Sequence, residues 1–376
     1  FADQAFVGLN GNKTDLVLNP PAGGQVVVDG VAFRAVTEKL DNLETQVETL
    51  TEQLEGQQCR TVANTDTITV PGLTEEGWAG GVLAGNGKIY GIPYNSASVL
   101  IVDPTTNIAD TTTITGLSGS SKWWDGALAG DGKIYGVPLG AASILVIDPV
   151  TNTVDITTIT GLGGGAKWAG TILAGNGKIY GIPFDAGSVL MFDPATNTTD
   201  ATTITGLAGA NKWVGGVLAG NGKIYGVPCN STSVLIVDPA TSTADTTTII
   251  GLSSGGTKWY GGVLATNGKM FGIPYAAASV LIVDPATDTT DTTTITGLNN
   301  AGGKWIGGVL AGSTHSKIYG VPYQSTSVLI IDPTNNTTDT ATITGLNGQY
   351  KWRGDVLSRT GQIYGIPAAS KSVLII

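Results

Sequence analysis

Seven copies of one segment, each about 45 residues long, fill most of this chain of 376 residues. Each copy opens on a tryptophan and continues with the phrase G-K-I-Y-G-I/V-P or a close variant. The first six copies then reach an Asp-Pro pair. A repeat of this length is one supersecondary unit that cannot bury a core alone, so neighbouring copies must pack into a stacked array or a closed ring. The opening tryptophans are Trp78, Trp123, Trp168, Trp213, Trp259, Trp305 and Trp352.

Each copy is predicted to hold four short strands. In the first copy we expect them at 81–84, 88–94, 98–102 and 110–115, with Gly-Asn-Gly and Asp-Pro turns between them. The 55 glycines favour tight turns, and a composition of 41% hydrophobic and 13% charged residues excludes general disorder. Four strands per copy, repeated radially, predict an all-β fold: a seven-bladed β-propeller.

The ends of the repeat region favour a ring over an open solenoid. The seventh copy stops after its third strand, at 372–376, without the phrase T-x-T-I-T-x-G-L that ends the other copies. A similar phrase stands at 65–73, before the first tryptophan. A ring needs such a permutation, because a donated strand completes the last blade and removes two sheet edges. We therefore expect a propeller head over 65–376, with the outer strand of its last blade at 65–70.

The first 64 residues follow other patterns. Two short predicted strands, at 15–18 and 25–28, define a β-rich shaft segment over 1–29, which would need partner chains to bury a core. A coiled-coil stalk is expected over 30–57, short and parallel, and a homotrimer is favoured although the seam does not fix the oligomeric state. The alternative is a single amphipathic helix packed on the propeller. The apolar residues spaced 3-4-3-4-3-4 along the seam are Phe33, Val36, Leu40, Leu43, Val47, Leu50 and Leu54.

The repeats resemble those of streptogramin-lyase and NHL propellers, and their wording is similar to repeat proteins of microalgae and their large viruses. The shaft, stalk and head together resemble trimeric fibres of phages and viruses. The resemblance to the lyases implies a histidine-containing catalytic site, but the chain has one histidine, His315. Since no P-loop, nucleophile motif or Cys/His cluster is visible either, the sequence predicts that the chain is not an enzyme and has no catalytic residue, metal ligand or cofactor.

The charge, the hydropathy and the cysteine content limit the kinds of partner and of cross-link that the chain can have. The net charge of −10 and the pI of about 4.5 argue against nucleic-acid binding, which needs a basic surface. No apolar run approaches the ~20 residues of a membrane-spanning helix, so no membrane insertion is expected. Cys59 and Cys229 could pair with each other, Cys59 could pair between chains, or both could be free thiols.

Lysine occupies two repeated positions, one directly before the tryptophan, as in Lys122, and one at the start of the second strand, as in Lys88. The two rings of lysine would capture an anionic glycan. Alternatively, each lysine pairs with a repeated aspartate and packs its stem on an aromatic ring.

Departures from the repeat mark the candidate ligand-binding site. They fall after the second strand and after the opening tryptophan, in loops that we expect on one rim of the ring. Aromatic rings beside amide and acidic groups suit sugar recognition; drift at exposed loop tips is the alternative. The candidates are Tyr94, Asn95, Trp124, Asp125, Phe184, Asp185, Tyr260, Tyr275, Tyr323, Gln324 and Arg353.

These features together predict the head of a multimeric fibre or appendage that binds a cell-surface glycan or receptor, located outside the cell or on a virion surface. One alternative is a purely structural subunit of a virion or an extracellular filament. A polysaccharide lyase or hydrolase is the remote alternative.

Overall fold

A computed structural model describes residues 6–9, 16–19, 27–28, 31–32, 46, 65–70, 77–312 and 316–376. The chain divides into two compact units, Phe1–Val62 and Ala63–Ile376. The second unit contains seven antiparallel sheets of four strands each, which confirms the predicted all-β, seven-bladed propeller. The first strands of successive blades pack against one another, and that of blade seven packs against that of blade one, so the ring is closed.

The strand bounds repeat from blade to blade. The inner strands are Trp78–Leu83, Trp123–Leu128, Trp168–Leu173, Trp213–Leu218, Trp259–Leu264, Trp305–Ala311 and Trp352–Leu357. The second strands are Ile89–Pro93, Ile134–Pro138, Ile179–Pro183, Ile224–Pro228, Met270–Pro274, Lys317–Pro322 and Ile363–Pro367. The third strands are Leu100–Asp103, Leu145–Asp148, Leu190–Asp193, Leu235–Asp238, Leu281–Asp284, Leu329–Asp332 and Ser372–Ile375. The outer strands of blades one to six are Ile108–Asp110, Thr153–Asp155, Thr198–Asp200, Thr243–Asp245, Thr289–Asp291 and Thr337–Asp339.

Blade seven takes its outer strand from the start of the propeller unit. Asp66–Thr69 pairs antiparallel with Ser372–Ile375, with Ile68 opposite Val373. Both of these side chains are buried in one apolar cluster with Trp78. The two ends of the propeller sequence are therefore joined inside a single sheet.

The opening tryptophan fastens each blade internally. The residue is 2–4% exposed in all seven blades, and its indole Nε1 donates a hydrogen bond of 2.7–2.8 Å to the carbonyl of a serine. This serine precedes the third strand in blades one to six and begins it in blade seven. The second strand is buried along its whole length in blade one and in most others. This is why the strand is a near-continuous apolar run rather than an alternating one.

The predicted position of the fourth strand is wrong by several residues. We expected it at 110–115, whereas the ladder ends at Asp110. The Asp110 carboxylate accepts hydrogen bonds from the backbone N–H of Thr112 (2.7 Å) and Thr113 (3.2 Å) and from both hydroxyls. These local bonds interrupt the ladder after Asp110, because a side chain that satisfies the backbone competes with strand pairing. The chain then pairs with the third-strand segment again, through a bridge between Ser98 and Thr115.

The lysines before the tryptophans are structural. Lys122 is 4% exposed, and its Nζ donates hydrogen bonds to the carbonyls of Tyr94 (3.2 Å), Ser96 (2.9 Å) and Gly119 (2.8 Å). Each such lysine thus ties the loop of one blade to the entry of the next. The lysines at the second strand behave differently: Lys88 lies at the surface, 3.7 Å from Asp103.

In the first unit, Phe6–Leu9 pairs with Leu16–Asn19, and Val27–Val28 pairs with Val31–Ala32, both antiparallel. The seam residues predicted to form the coiled coil and Cys59 lie outside the described residues, so the stalk stays a prediction. Among the residues that are described, no helix has the length and hydropathy of a membrane span.

Candidate functional site

An arc of aromatic rings covers one end of the propeller axis. Tyr94 and Trp124 meet edge to face with their centroids 5.8 Å apart, and Trp124 lies 6.0 Å from Tyr260. Tyr260 stacks on Tyr275 at 4.6 Å, and Tyr275 lies 6.2 Å from Tyr323. Four of these rings are partly exposed, and Tyr323 is 5% exposed. The structure therefore gathers residues from blades one, two, five and six on one face.

Tyr350 extends the aromatic arc at its open end. Its ring lies 5.2 Å from Tyr323 and is 44% exposed. The sequence comparison of repeats missed this residue, because it lies in the inter-blade loop whose composition varies in every copy.

Arg353 lies at the centre of the aromatic arc. Its guanidinium carbon is 4.9 Å from the Tyr94 ring, 5.0 Å from the Trp124 ring and 5.1 Å from the Tyr323 ring. A guanidinium over aromatic faces is stabilised by cation–π attraction, and most strongly where water is excluded. Arg353 is 6% exposed, so it fixes three rings from different blades in one arrangement.

The other positions that vary between the repeats form an apolar cluster beside the aromatic arc. Leu139, Ala169, Val214 and Cys229 are buried together, and Phe184 packs on them. Cys229 is a free thiol, and burial raises its pKa to about 11. A buried neutral thiol of this kind is inert as a nucleophile at neutral pH.

The polar candidates bond to neighbouring loops. Asn95 accepts a 2.8 Å hydrogen bond from the backbone N–H of Ser121, and Asp185 accepts one of 2.6 Å from that of Asn211. Each joins its loop to the next blade. Gln324 lines a separate cavity of about 580 Å³ between blades. The structure thus brings the aromatic candidates and Arg353 together. Asn95 is linked to this group through Ser121, whose hydroxyl donates a 3.0 Å hydrogen bond to that of Tyr94, whereas Asp185 and Gln324 make their contacts in other loops.

Behind the aromatic arc, the inner strands meet in a ring that we call the axial collar. Its seven members, one per blade, are Gly80, Asp125, Gly170, Gly215, Gly261, Gly307 and Gly354. The glycines of blades three to seven have φ between +70° and +137°. A Cβ on Gly215 would lie 3.0 Å from Cα of Gly261, and similar backbone approaches continue to Gly80. Glycine is required here because neighbouring backbones touch.

Two carboxyl groups interrupt this glycine-lined region. Asp125 replaces a collar glycine, and Asp355 replaces the glycine one residue further along its strand. Both line an axial cavity of about 210 Å³ together with collar glycines. Burial raises the pKa of Asp125 to about 6, against hydrogen bonds from the N–H of Gly126 (2.8 Å) and Thr171 (3.3 Å). Burial, and then the charge of Asp125, raises the pKa of Asp355 well above its usual value.

Asp355 was visible in the sequence as a departure from glycine, but its spacing gave no sign that it would share a cavity with Asp125. Within the described ranges, no three His, Cys, Asp or Glu side chains lie close enough to hold a metal ion between them. The site therefore combines an aromatic outer face with an enclosed pair of carboxyl groups.

Comparison with known proteins shows the fold. No protein-family model matches the chain, and no curated protein matches it by sequence. Among solved structures, it is similar to streptogramin B lyase, with a TM-score of 0.64, 11% identity and coverage of 83% of this chain and 97% of that chain. It is also similar to hydrazine synthase of Kuenenia stuttgartiensis, with a TM-score of 0.62, 15% identity and coverage of 80% and 96%.

A third similar structure is the extracellular domain of a hybrid two component system from B. thetaiotaomicron. The TM-score is 0.59 at 10% identity, over 84% of this chain and 43% of that chain. At these identities the likeness establishes the seven-bladed propeller, with distant similarity to the lyase type, and no activity.

The prediction that the chain is not an enzyme is wrong, because the reasoning behind it does not exclude catalysis. Solved structures that share this fold include a lyase and a synthase, so the fold gives no ground for excluding catalysis. His315, whose isolation carried that prediction, lies outside the described residues. The enclosed carboxyl pair also shows that titratable groups meet in this ring without any sequence motif.

Proposed function

We propose that the propeller is the ligand-binding head of an extracellular attachment protein, and that the aromatic arc is the surface on which the ligand docks. The observation that carries this proposal is the continuous contact of six rings from Tyr94 to Tyr350 at one end of the axis, of which all but Tyr323 are at least partly exposed. Large aromatic side chains at a surface expose apolar area to water, which is unfavourable. Contiguous patches of them therefore mark binding sites.

Glycan is the ligand class that fits this surface best. Partly exposed rings can stack on the apolar faces of sugar rings, while tyrosine hydroxyls and the indole N–H bond their hydroxyl groups. Arg353 holds three of the rings in place, so these side chains lose little conformational entropy when a ligand binds. Several similar structures are extracellular domains, which agrees with a location outside the cell or on a virion.

In the proposed assembly, the seam from Phe33 to Leu54 joins the chains as a homotrimeric fibre. A trimer would present several heads at once, and linked weak sites gain apparent affinity through effective concentration. The monomeric head is then expected to bind weakly and the assembled protein strongly.

A glycan array probed with the full-length protein tests the proposal. We expect binding to a defined group of glycans, and we expect Trp124→Ala and Tyr350→Ala to weaken it at least about tenfold, the loss of roughly one stacking contact. Ile250→Ala is the matched control, since Ile250 is 64% exposed and lies away from the rings. Thermal unfolding checks that each variant is folded. Binding that survives both aromatic substitutions would move the ligand elsewhere on the head.

A further inference from the structure

A cavity lies beside the open end of the aromatic arc, at the entry to blade six. It has a volume of about 580 Å³ and is lined by the loop 297–304 and by the turn that begins at Gln324. Volumes of about 300–1,000 Å³ are typical of sites that bind small molecules. Gln324 directly follows Tyr323 in the chain, and a second lining residue, Gln349, directly precedes Tyr350. Since the rings of these two tyrosines lie 5.2 Å apart, the cavity adjoins the arc.

The entry to blade five contains a cavity of the same construction. The loops 251–258 and 297–304 are each one residue longer, from glycine to lysine, than the equivalent loops before blades two, three, four and seven. The first of them borders a cavity of about 430 Å³, in which residues 276–278 are three alanines. The equivalent residues of the larger cavity, 324–326, are glutamine, serine and threonine. Polar side chains therefore stand in place of methyl groups in one of two otherwise similar cavities.

Gln324 is held in position by contacts that leave its side-chain amide available. Its backbone N–H donates a 2.8 Å hydrogen bond to the carbonyl of Gly303. Its side chain packs on the same glycine, where an added Cβ would lie 2.6 Å from Cδ of Gln324. The residue is half-buried, and its amide hydrogen-bonds to none of the described residues. A carboxamide offers two donors and an acceptor oxygen, so this group is positioned to bind a ligand.

The rest of the lining determines the class of ligand. The charged residue among the described lining residues is Lys304, which is 3% exposed and donates hydrogen bonds of 3.0–3.2 Å to three backbone carbonyls. Its three donors are thus engaged, and an ionic ligand would find no free opposite charge. The remaining groups include the Thr340 hydroxyl, the Gln349 amide and the apolar side chain of Leu298. Neutral donors and acceptors beside an apolar surface match the hydroxyl groups and C–H faces of a sugar.

We propose that this cavity binds one neutral sugar unit of an oligosaccharide whose neighbouring units stack on the aromatic arc. The inference rests on the function proposed for the arc and adds a second subsite to it. The arc supplies stacking, and Gln324 supplies the hydrogen bonds that a sugar unit entering the cavity needs. Binding should therefore increase with the length of the glycan chain, and added negative charge should bring no gain.

A glycan array that carries disaccharides and hexasaccharides of the same neutral sugars, together with sialylated forms, tests the inference with the full-length protein. We expect the wild type to bind the neutral hexasaccharides more tightly than the disaccharides, with no gain from sialic acid. Gln324→Ala should weaken hexasaccharide binding about tenfold, the effect of losing about two hydrogen bonds, and should leave disaccharide binding unchanged. Blade five has alanine at the equivalent position, so this variant is expected to fold, and thermal unfolding checks that it does.

Ser254→Ala is the matched control, because it removes a polar group from the equivalent cavity of blade five, and it should bind as the wild type does. If Gln324→Ala binds hexasaccharides like the wild type while Trp124→Ala and Tyr350→Ala bind them more weakly, this inference is wrong and the aromatic arc stands. Equal losses in Gln324→Ala and Ser254→Ala, or a preference for sialylated chains, would also overturn it. A wild type that binds no glycan would overturn both proposals.

Discussion

Nη2 of Arg353 in blade seven donates a 2.7 Å hydrogen bond to the hydroxyl of Tyr323 in blade six. The same guanidinium lies over rings from blades one and two. One side chain therefore holds together four of the seven blades at the end of the axis where the aromatic arc lies.

Tyr323→Phe is expected to lower the free energy of unfolding by about 1–2 kcal/mol, because it keeps the ring and removes a buried, charge-assisted hydrogen bond. Urea denaturation measures the difference. Tyr350→Phe removes a hydroxyl from an exposed ring and should change stability by less than about 0.5 kcal/mol. Equal effects of the two substitutions would mean that the Arg353 bond contributes nothing to stability.

Gly215→Ala tests the axial collar. The residue has φ of +70°, which disfavours any side chain, and the added Cβ would lie 3.0 Å from the backbone of Gly261. We expect a loss of about 3 kcal/mol, from unfavourable backbone conformation and overpacking together. Gly85→Ala is the control, because a Cβ there meets nothing within 4 Å. A Gly215→Ala protein as stable as this control would show that the collar tolerates side chains.

Substitutions can distinguish the contribution of the buried lysines to stability from that of the surface lysines. Burial lowers the pKa of Lys122 to about 8, and its carbonyl acceptors favour the charged form at neutral pH. Lys122→Met should destabilise the protein by about 3 kcal/mol, since it deprives the carbonyls of Ser96 and Gly119 of this donor. Lys88→Met removes only the surface pair with Asp103 and should cost less than about 1 kcal/mol. Chemical denaturation of both variants measures these two changes in the free energy of unfolding.

The stability of the protein should depend on pH through Asp125. Its folded-state pKa of about 6 lies above the unfolded value, so the folded protein takes up a proton first as the pH falls. The free energy of unfolding should therefore rise by about 2 kcal/mol between pH 7 and pH 4.5 through this group. Asp125→Asn should reduce this slope in denaturation curves measured across the range, and the part that remains comes from the raised pKa of Asp355.

Below about pH 4, the trend should reverse. Hydrogen bonds from Thr158 and neighbouring backbone lower the pKa of Asp155 to about 2, and Asp200, Asp245 and Asp291 are held in the same way. Because their folded-state pKa values lie below the unfolded value, these four carboxylates stabilise the fold at pH values above the unfolded pKa. That stability is lost as the pH falls toward 2. A stability that declines steadily from pH 7 to pH 4.5 would contradict the assignment for Asp125.

Much of the fold could be predicted from the spacing of Trp78 and its counterparts, because a repeat of fixed length fixes the number of blades. The fourth strand could not be placed, because the alternation around Thr113 looks like a strand while the Asp110 carboxylate bends it into a turn. Local hydrogen bonds of this kind leave no trace in hydrophobic periodicity.

The residue types of the candidate site could be predicted from the sequence, but their position on the propeller could not. The variable aromatic residues were expected along a rim of loops, whereas they converge on the axis around Arg353. Their convergence depends on the inclination of each blade, which a repeat length does not specify. The shared cavity of Asp125 and Asp355 was hidden for the same reason, since these residues belong to blades that are far apart in sequence.

The pairing of Asp66–Thr69 with Ser372–Ile375 has a consequence for how the chain is made. Blades one to six are each assembled from contiguous sequence and can form in order as they emerge from the ribosome. The closing sheet instead joins segments separated by nearly the whole propeller, so its formation is the contact of longest range and must wait for the last strand. Until then the early segment has an unpaired edge, and the nascent chain is most exposed to wrong partners at that step.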